Sequence, residues 1–291
     1  MRAVSGIPPA FSPPSGKPSM SLLQSTTQSG KVALDRIRDM PDRAVCAFDF
    51  DGTLAPIVPD PRDSRAHPGA VPALRALAGR VRAVAVITGR PAQTAVDYGG
   101  LDAVPGITVL GHYGRERWED GKLTVPEPPP GVAMVREALP GLLDEVGAPE
   151  GTWIEDKKHA LAVHTRRTAD PEAALELLRA PLADLAKRAE LAVEPGRMVI
   201  ELRPPGVDKG AALTDLVTRL GAEAVLYAGD DLGDLAAYDA VERLREQGVA
   251  GFKLCSGSAE VTELARRADA VVPGPEGVVA FLEELVAAVG G

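Results

Sequence analysis

Ala44-Val45-Cys46-Ala47-Phe48-Asp49-Phe50-Asp51-Gly52-Thr53 begins with small and apolar residues and breaks off into carboxylates. A short apolar run of this kind reads as a strand buried on both faces, and the carboxyl end of such a strand is where an α/β sheet places its chemistry. Asp49 and Asp51 stand at period-2 spacing, and Gly52 lets the backbone turn, so both can reach one cleft. Carboxylates that close repel each other unless a cation sits between them, which points to Mg²⁺. Asp49 can then attack phosphorus as a nucleophile, while Asp51 moves the proton of the leaving oxygen.

The signature recurs along the chain. Val84–Ile87 runs into Thr88-Gly89-Arg90, and Ile107–Leu110 runs into Gly111-His112-Tyr113-Gly114. Ala224–Ala228 runs into Gly229-Asp230-Asp231-Leu232-Gly233-Asp234. One of these acids can cap the helix that follows, but three together make poor sense without a metal. Asp230 is the best additional ligand, with Asp231 or Asp234 ligating through water or orienting the shell. Thr88 and Gly89 offer a hydroxyl and backbone N–H groups to a phosphoryl oxygen. Lys209 opens a helix after Pro204-Pro205-Gly206, so its ammonium and the helix N-terminus can face the same anion.

Between residues 118 and 203 the pattern changes. Trp118–Leu123 predicts a hairpin about Asp120-Gly121, Pro126–Pro130 a loop and Val132–Val146 a helix. Thr152–Glu155 and Ala160–Thr165 predict paired strands, Pro171–Ala189 a helix broken at Pro181, and Met198–Leu202 an alternating strand. This is a small α+β insert with a half-exposed sheet. Around it, helices over His67–Arg80, Lys209–Leu220 and Leu235–Arg245, a strand over Val249–Leu254 and a last helix ending near Val289 keep an α/β rhythm. The expected fold is therefore a Rossmann-like parallel-sheet core over residues 41–117 and 204–291, interrupted by an α+β cap over 118–203. Residues 1–40 are expected to be a disordered Pro/Ser-rich extension, with Val32–Met40 able to form a short amphipathic helix.

The chain has 291 residues, 41 acidic and 32 basic, for a net charge of −9. That balance argues against nucleic acid and anionic membranes as partners, while a local cation still permits an anionic small substrate. Two cysteines, Cys46 and Cys255, cannot build a disulfide framework, and neither a secretory signal nor a membrane-length apolar run is present, so a cytoplasmic setting is expected.

Taken together, Asp49-x-Asp51-Gly52-Thr53, then Thr88, then Lys209, then Gly229-Asp230-Asp231-x-x-Asp234 resemble the four motifs of haloacid dehalogenase-like phosphatases, and the insert is similar to their C2-type cap. Phe50–Ile57, Ile154-Glu155-Asp156-Lys157, Val163-His164-Thr165-Arg166, Glu194-Pro195-Gly196 and Ile200–Pro204 are similar to trehalose-6-phosphate phosphatases. The resemblance implies a Mg²⁺-dependent phosphatase acting through an aspartyl-phosphate on Asp49. It also implies Asp51 as general acid/base giving its backbone carbonyl to the metal, Thr88 and Lys209 on phosphate, Asp230 completing the metal site, and Glu155, Lys157 and Glu201 on the sugar. Phosphatases of sucrose 6-phosphate or mannosyl-3-phosphoglycerate, and a non-catalytic sugar-phosphate sensor, are the rival readings; association with a trehalose-6-phosphate synthase is a further expectation. The chain departs from the family at Gly111-His112-Tyr113-Gly114, where relatives often carry Gly-x-His-Gly, while Glu116 keeps the acid that follows. His164, on an alternating strand, is read as a packed cap residue rather than a base.

Overall fold

The computed structural model describes residues 23–196, 198–257 and 262–290. The first described helix, α1 (Gln28–Asp39), corrects part of the expected disorder: Thr27 caps it by accepting the Gly30 N–H, and Ala33 and Ile37 are fully buried. The stretch before residue 23 lies outside the described residues.

The core is an eight-stranded sheet in the order β12-β11-β10-β1-β2-β3-β4-β5. Its strands are β1 (Ala44–Phe48), β2 (Ala83–Ile87), β3 (Thr108–Gly111), β4 (Glu116–Glu119), β5 (Lys122–Thr124), β10 (Ala224–Gly229), β11 (Ala250–Gly257) and β12 (Ala270–Pro273). β12, β11, β10, β1, β2 and β3 pair in parallel. β1 and β10 are buried along their whole length, as strands covered on both faces must be. On one face Cys46 and Phe48 pack with α1, α2 (Ala70–Ala78) and α9 (Gly274–Val289); on the other Val45 and Ala47 pack with α6 (Lys209–Leu220) and α7 (Leu235–Glu246). Strands leave β1 in opposite directions, toward β2 on one side and β10 on the other, so a crevice opens at its carboxyl end.

The cap holds α4 (Pro130–Glu145), β6 (Trp153–Asp156), β7 (Leu161–His164), α5 (Pro171–Arg188), β8 (Ala192–Gly196) and β9 (Val199–Arg203). Its antiparallel sheet runs β6-β7-β9-β8. Leu161, Val163, Ile200 and Leu202 point to α4 and α5, closing an apolar core with Leu139, Leu178 and Leu182. The alternate residues face the other way.

Two expectations are corrected here. The hairpin at Trp118 does not belong to the cap: β4 and β5 pair antiparallel onto β3 and extend the core sheet, because Trp118 on its inward face joins the core cluster. The boundary accordingly moves from residue 118 to the proline-rich segment before α4. Helix α5 also runs unbroken through Pro181. Leu177, whose carbonyl loses a bond there, is exposed and can bond water, while Leu178, Leu182 and Leu185 anchor both halves. α3 (Ala92–Gly99) and α8 (Thr262–Arg267) complete the fold, and among the described residues no helix is long and apolar enough to cross a membrane.

Candidate active site

Strand register assembles the site. Phe48 lies opposite Ala228 on β10 and Val86 on β2, so Asp49, Asp230 and Thr88 emerge at one edge of the sheet. The Asp49 N–H donates to Ala228 O at 2.9 Å, continuing the ladder one residue into the motif. Beyond it the chain folds back on itself: Gly52 N–H donates to Ala55 O at 2.7 Å, and buried Phe50 and Leu54 root the turn in the core. Gly52 is required twice over, by its φ of +74° and because a Cβ there would lie 2.0 Å from Asp230 Oδ2.

Lys209 is the one ammonium at the centre of this acidic group among the described residues. Its Nζ lies 2.9 Å from Asp49 Oδ2 and 2.8 Å from Asp234 Oδ1, with both carboxylates and the lysine buried. Burial alone would lower the Lys209 pKa; Asp49, Asp234 and Asp231 outweigh it and keep the ammonium charged. Asp49 is pushed well up by burial, opposed by Lys209 and reinforced by Asp234 and Asp230.

Asp234 and Asp231, expected to ligate through water or to orient the metal's surroundings, are both held in a hydrogen-bond network. Asp234 Oδ1 accepts from Lys209 Nζ and from the Tyr227 hydroxyl at 2.6 Å, and Oδ2 accepts the backbone N–H groups of Asp230 and Asp231 at 2.9 and 3.1 Å. Both of its oxygens are thus hydrogen-bonded, which suits orienting the neighbouring groups. Asp231 caps the short helical turn Leu232–Asp234 in a reciprocal capping box with Asp234. The Asp51 carboxylate is held as well, since Arg90 Nε and Nη2 donate to its Oδ2 and Oδ1 at 2.6 and 2.7 Å and Ser64 Oγ donates to Oδ1 at 3.1 Å. That leaves its backbone carbonyl, not its carboxylate, for a metal.

The remaining donors fit Mg²⁺. Asp49, Asp230 and Asp234 each bring a carboxylate oxygen within 4.8 Å of the others. Asp230, pushed up to about 7 by burial and by Asp234 and Asp231, is a carboxylate short of positive charge. All the donors are hard oxygens and no Cys or His joins them, the ligand chemistry of Mg²⁺ rather than of a softer ion.

Thr88 is buried, and its backbone N–H is taken by Leu110 O at 3.0 Å while its Oγ1 accepts from Arg90 N at 3.1 Å. The hydroxyl proton of Thr88, rather than its amide, is what it can offer an anion. Gly89 and Arg90 line a cavity of about 570 Å³ with Asp51 and His112 on the core side and Glu155, Asp156, Lys157 and Lys158 on the cap side.

Glu155 pairs across β7 through Ala162 to Glu201, which puts both acids on the sheet face opposite the cap's apolar core. Lys157 Nζ binds Glu201 Oε2 at 2.6 Å. The three expected sugar contacts therefore share one wall. His164 stacks on Trp153 with ring centroids 3.8 Å apart and bonds Glu155 Oε2 at 2.9 Å, a packed position as read from its strand. Sequence reasoning missed Arg90, Ser64 and Tyr227; only Arg90 carried a signal, standing directly after Thr88-Gly89 at a strand end.

A model of the trehalose-phosphatase family matches residues 47–271. The chain belongs to the trehalose-phosphatase family. It is 36% identical over 216 residues to a trehalose-phosphate phosphatase of Mycobacterium avium, a match covering 69% of this chain and 52% of that protein. The chain thus spans about half the length of that relative. The structure resembles that of Aspergillus fumigatus trehalose-6-phosphate phosphatase, with TM-score 0.71 and 24% identity over 91% of this chain and 99% of the other. It also resembles a haloacid dehalogenase-like hydrolase from Bacteroides thetaiotaomicron, with TM-score 0.54 and 16% identity over 83% and 99% of the two chains. The fold is that of the haloacid dehalogenase-like hydrolases with an inserted α+β cap, and family membership makes the chain a member of a phosphatase family.

Proposed function

We propose that the chain hydrolyses trehalose 6-phosphate to trehalose and inorganic phosphate with Mg²⁺ bound. The observation that carries this reading is one cavity with two walls: Asp51, Gly89 and Arg90 on the core, at the strand end that also carries the buried Asp49–Lys209 pair, and Glu155 and Lys157 on the cap, where Lys157 bonds Glu201. The first wall suits a phosphate ester. The second suits a polyol, since carboxylates accept from sugar hydroxyls and an ammonium donates to them.

In this mechanism Asp49 attacks phosphorus and its Oδ forms the new P–O bond as the bond to the sugar oxygen breaks. Asp51 gives that oxygen a proton, and in the second half it takes one from the water that attacks the aspartyl-phosphate, releasing phosphate and restoring Asp49. Lys209 and the Thr88 hydroxyl orient the phosphoryl oxygens and offset their charge. Asp49, Asp230 and the Asp51 carbonyl would hold Mg²⁺, which when bound supplies positive charge against the phosphoryl group. Closing of the cap over the core excludes bulk water.

Phosphate release from trehalose 6-phosphate, sucrose 6-phosphate, glucose 6-phosphate and p-nitrophenyl phosphate, each with Mg²⁺ and with EDTA, tests the reading. Preference for trehalose 6-phosphate that disappears in EDTA is the expected result. Faster release from another sugar phosphate would overturn the substrate, and binding without any turnover would overturn the enzyme reading in favour of a sensor.

A further inference from the structure

Three consecutive residues after β3 have positive φ: His112 at 46°, Tyr113 at 58° and Gly114 at 97°. Glycine takes this region freely, whereas a tyrosine in it is crowded and persists only where its surroundings hold it. Here they do, because His112 N–H donates to Arg90 O and Tyr113 N–H to Thr88 O, each at 2.9 Å. The strained turn is thereby tied to the Thr88-Gly89-Arg90 segment and lays the phenol across it. A Cβ on Gly89 would fall 2.9 Å from the Tyr113 hydroxyl oxygen, so only glycine leaves room for the tip of the ring. The guanidinium of Arg203, at the cap's exit, lies 5.0 Å from the ring centroid and holds its face.

The hydroxyl itself makes no hydrogen bond among the described residues, yet the charges of Glu201, Lys157, Lys209 and Arg203 all act on it. Its contact with Gly89 and the backbone bond to Thr88 set the ring beside the phosphate-side turn, while Arg203 brings the edge of the cap against its face. Burial, with Glu201, raises its pKa, so the phenol stays a neutral donor. Neither local need explains a tyrosine: glycine or asparagine would serve the turn, and phenylalanine would serve the packing against Gly89 and Arg203.

We propose that Tyr113 is a specificity-determining residue whose hydroxyl hydrogen-bonds the phosphorylated sugar ring of the substrate beside the ester oxygen. This rests on the reading of the site as a sugar-phosphate phosphatase.

The test is Tyr113→Phe, which keeps the ring, its stacking and its packing, assayed beside the parent on the sugar phosphates named above and on p-nitrophenyl phosphate. The expected result is a KM for the preferred sugar phosphate raised about five- to tenfold, the loss of one neutral hydrogen bond. The kcat is expected to hold within about twofold and p-nitrophenyl phosphate kinetics to stay unchanged. An unaltered KM for the sugar phosphate overturns the proposal, and so does an equal rise for p-nitrophenyl phosphate, which would put the hydroxyl on the phosphoryl group. A parent that prefers another sugar phosphate would move the substrate reading alone, because the Tyr113 comparison is then made on that sugar phosphate.

Discussion

Arg90 grips the carboxylate of Asp51 with two nitrogens, at 2.6 and 2.7 Å, and its guanidinium lies 5.8 and 5.4 Å from the ring centroids of Phe50 and Tyr98. A planar fork on a planar acid fixes orientation as well as distance. If Asp51 is the proton donor, Arg90 positions it. Arg90→Lys, which cannot hold both oxygens, should lower kcat for trehalose 6-phosphate by about 10- to 100-fold, within the range of an acid catalyst's worth. The first-turnover release of nitrophenolate from p-nitrophenyl phosphate should slow by less than about threefold, since nitrophenolate departs without a proton, whereas hydrolysis of the aspartyl-phosphate still calls on Asp51 as base. Single-turnover kinetics on both substrates decide the matter, and equal losses in the first step would make Arg90 structural.

Asp49 is the acid at β1's end that touches Lys209 directly, and in the proposed mechanism no other group replaces its attack on phosphorus. Asp49→Asn should reduce phosphate release by about a thousandfold or more while leaving the fold intact, because an amide still accepts from Lys209. Substantial residual release from a correctly folded variant, checked by circular dichroism, would remove Asp49 from the role.

Asp234 is tied to Lys209, Tyr227 and the amides of Asp230 and Asp231, and it is completely buried. Taking out one partner of such a group strands the others without water. Asp234→Ala should cost roughly 3–5 kcal/mol of stability, the loss typical of a broken buried ion pair. Urea unfolding measures it, and a loss below about 1 kcal/mol, the worth of an exposed pair, would show the hub to be solvated.

Much of this was legible in the chain because two levels of pattern agreed. The apolar runs ending at Asp49, Thr88 and Asp230 are buried parallel strands, and the polar residues after them meet at one edge. Spacing could not separate ligand from scaffold within Asp230-Asp231-x-x-Asp234, since that depends on which lone pairs Lys209, Tyr227 and backbone amides consume, and those partners are distant in sequence or belong to the backbone. The sequence of the Trp118 hairpin does not say which edge it joins, so only the structure sets it on β3 rather than in the cap. β8 went unread for a related reason: it is an edge strand carrying Pro195, a residue that argues against strand unless the edge is known. β12 and α3 are short and built largely from small residues or from little alternation.

The charge around Asp230 predicts a linkage between metal and stability. Asp230 shares its pocket with Asp49, Asp231 and Asp234 against Lys209, and adding Mg²⁺ to the folded state alone should raise Tm. At about 100 times its Kd the ion contributes roughly 2.7 kcal/mol. Asp230→Asn should abolish most of that increment and, without metal, should unfold no earlier than the parent, because it removes a buried charge. Thermal scans with and without Mg²⁺ check both. An increment unchanged in Asp230→Asn would place the ion elsewhere.

A cluster at the junction of core and cap predicts how stability responds to acid. His112 after β3 and His159 in the cap pack edge to face with centroids 5.9 Å apart, and their Nε2 atoms lie 3.8 and 4.0 Å from Glu116 Oε1. Both ring nitrogens of buried His159 lack a hydrogen-bond partner. Burial lowers the pKa of each imidazole; Glu116 opposes this for both, His159 and Lys157 add to it at His112 with Glu201 against it, and Arg115 and Lys158 add to it at His159. Lowered imidazole pKa values mean that the unfolded chain takes up protons first as pH falls through about 6.5. Stability should therefore be complete above that value and decline below it. Replacing His159 with Gln, which carries no titrating group, should flatten the decline in Tm between pH 7.5 and 5.5 relative to the parent. Parallel curves for the two proteins would show that protonation of His159 takes no part in the acid response.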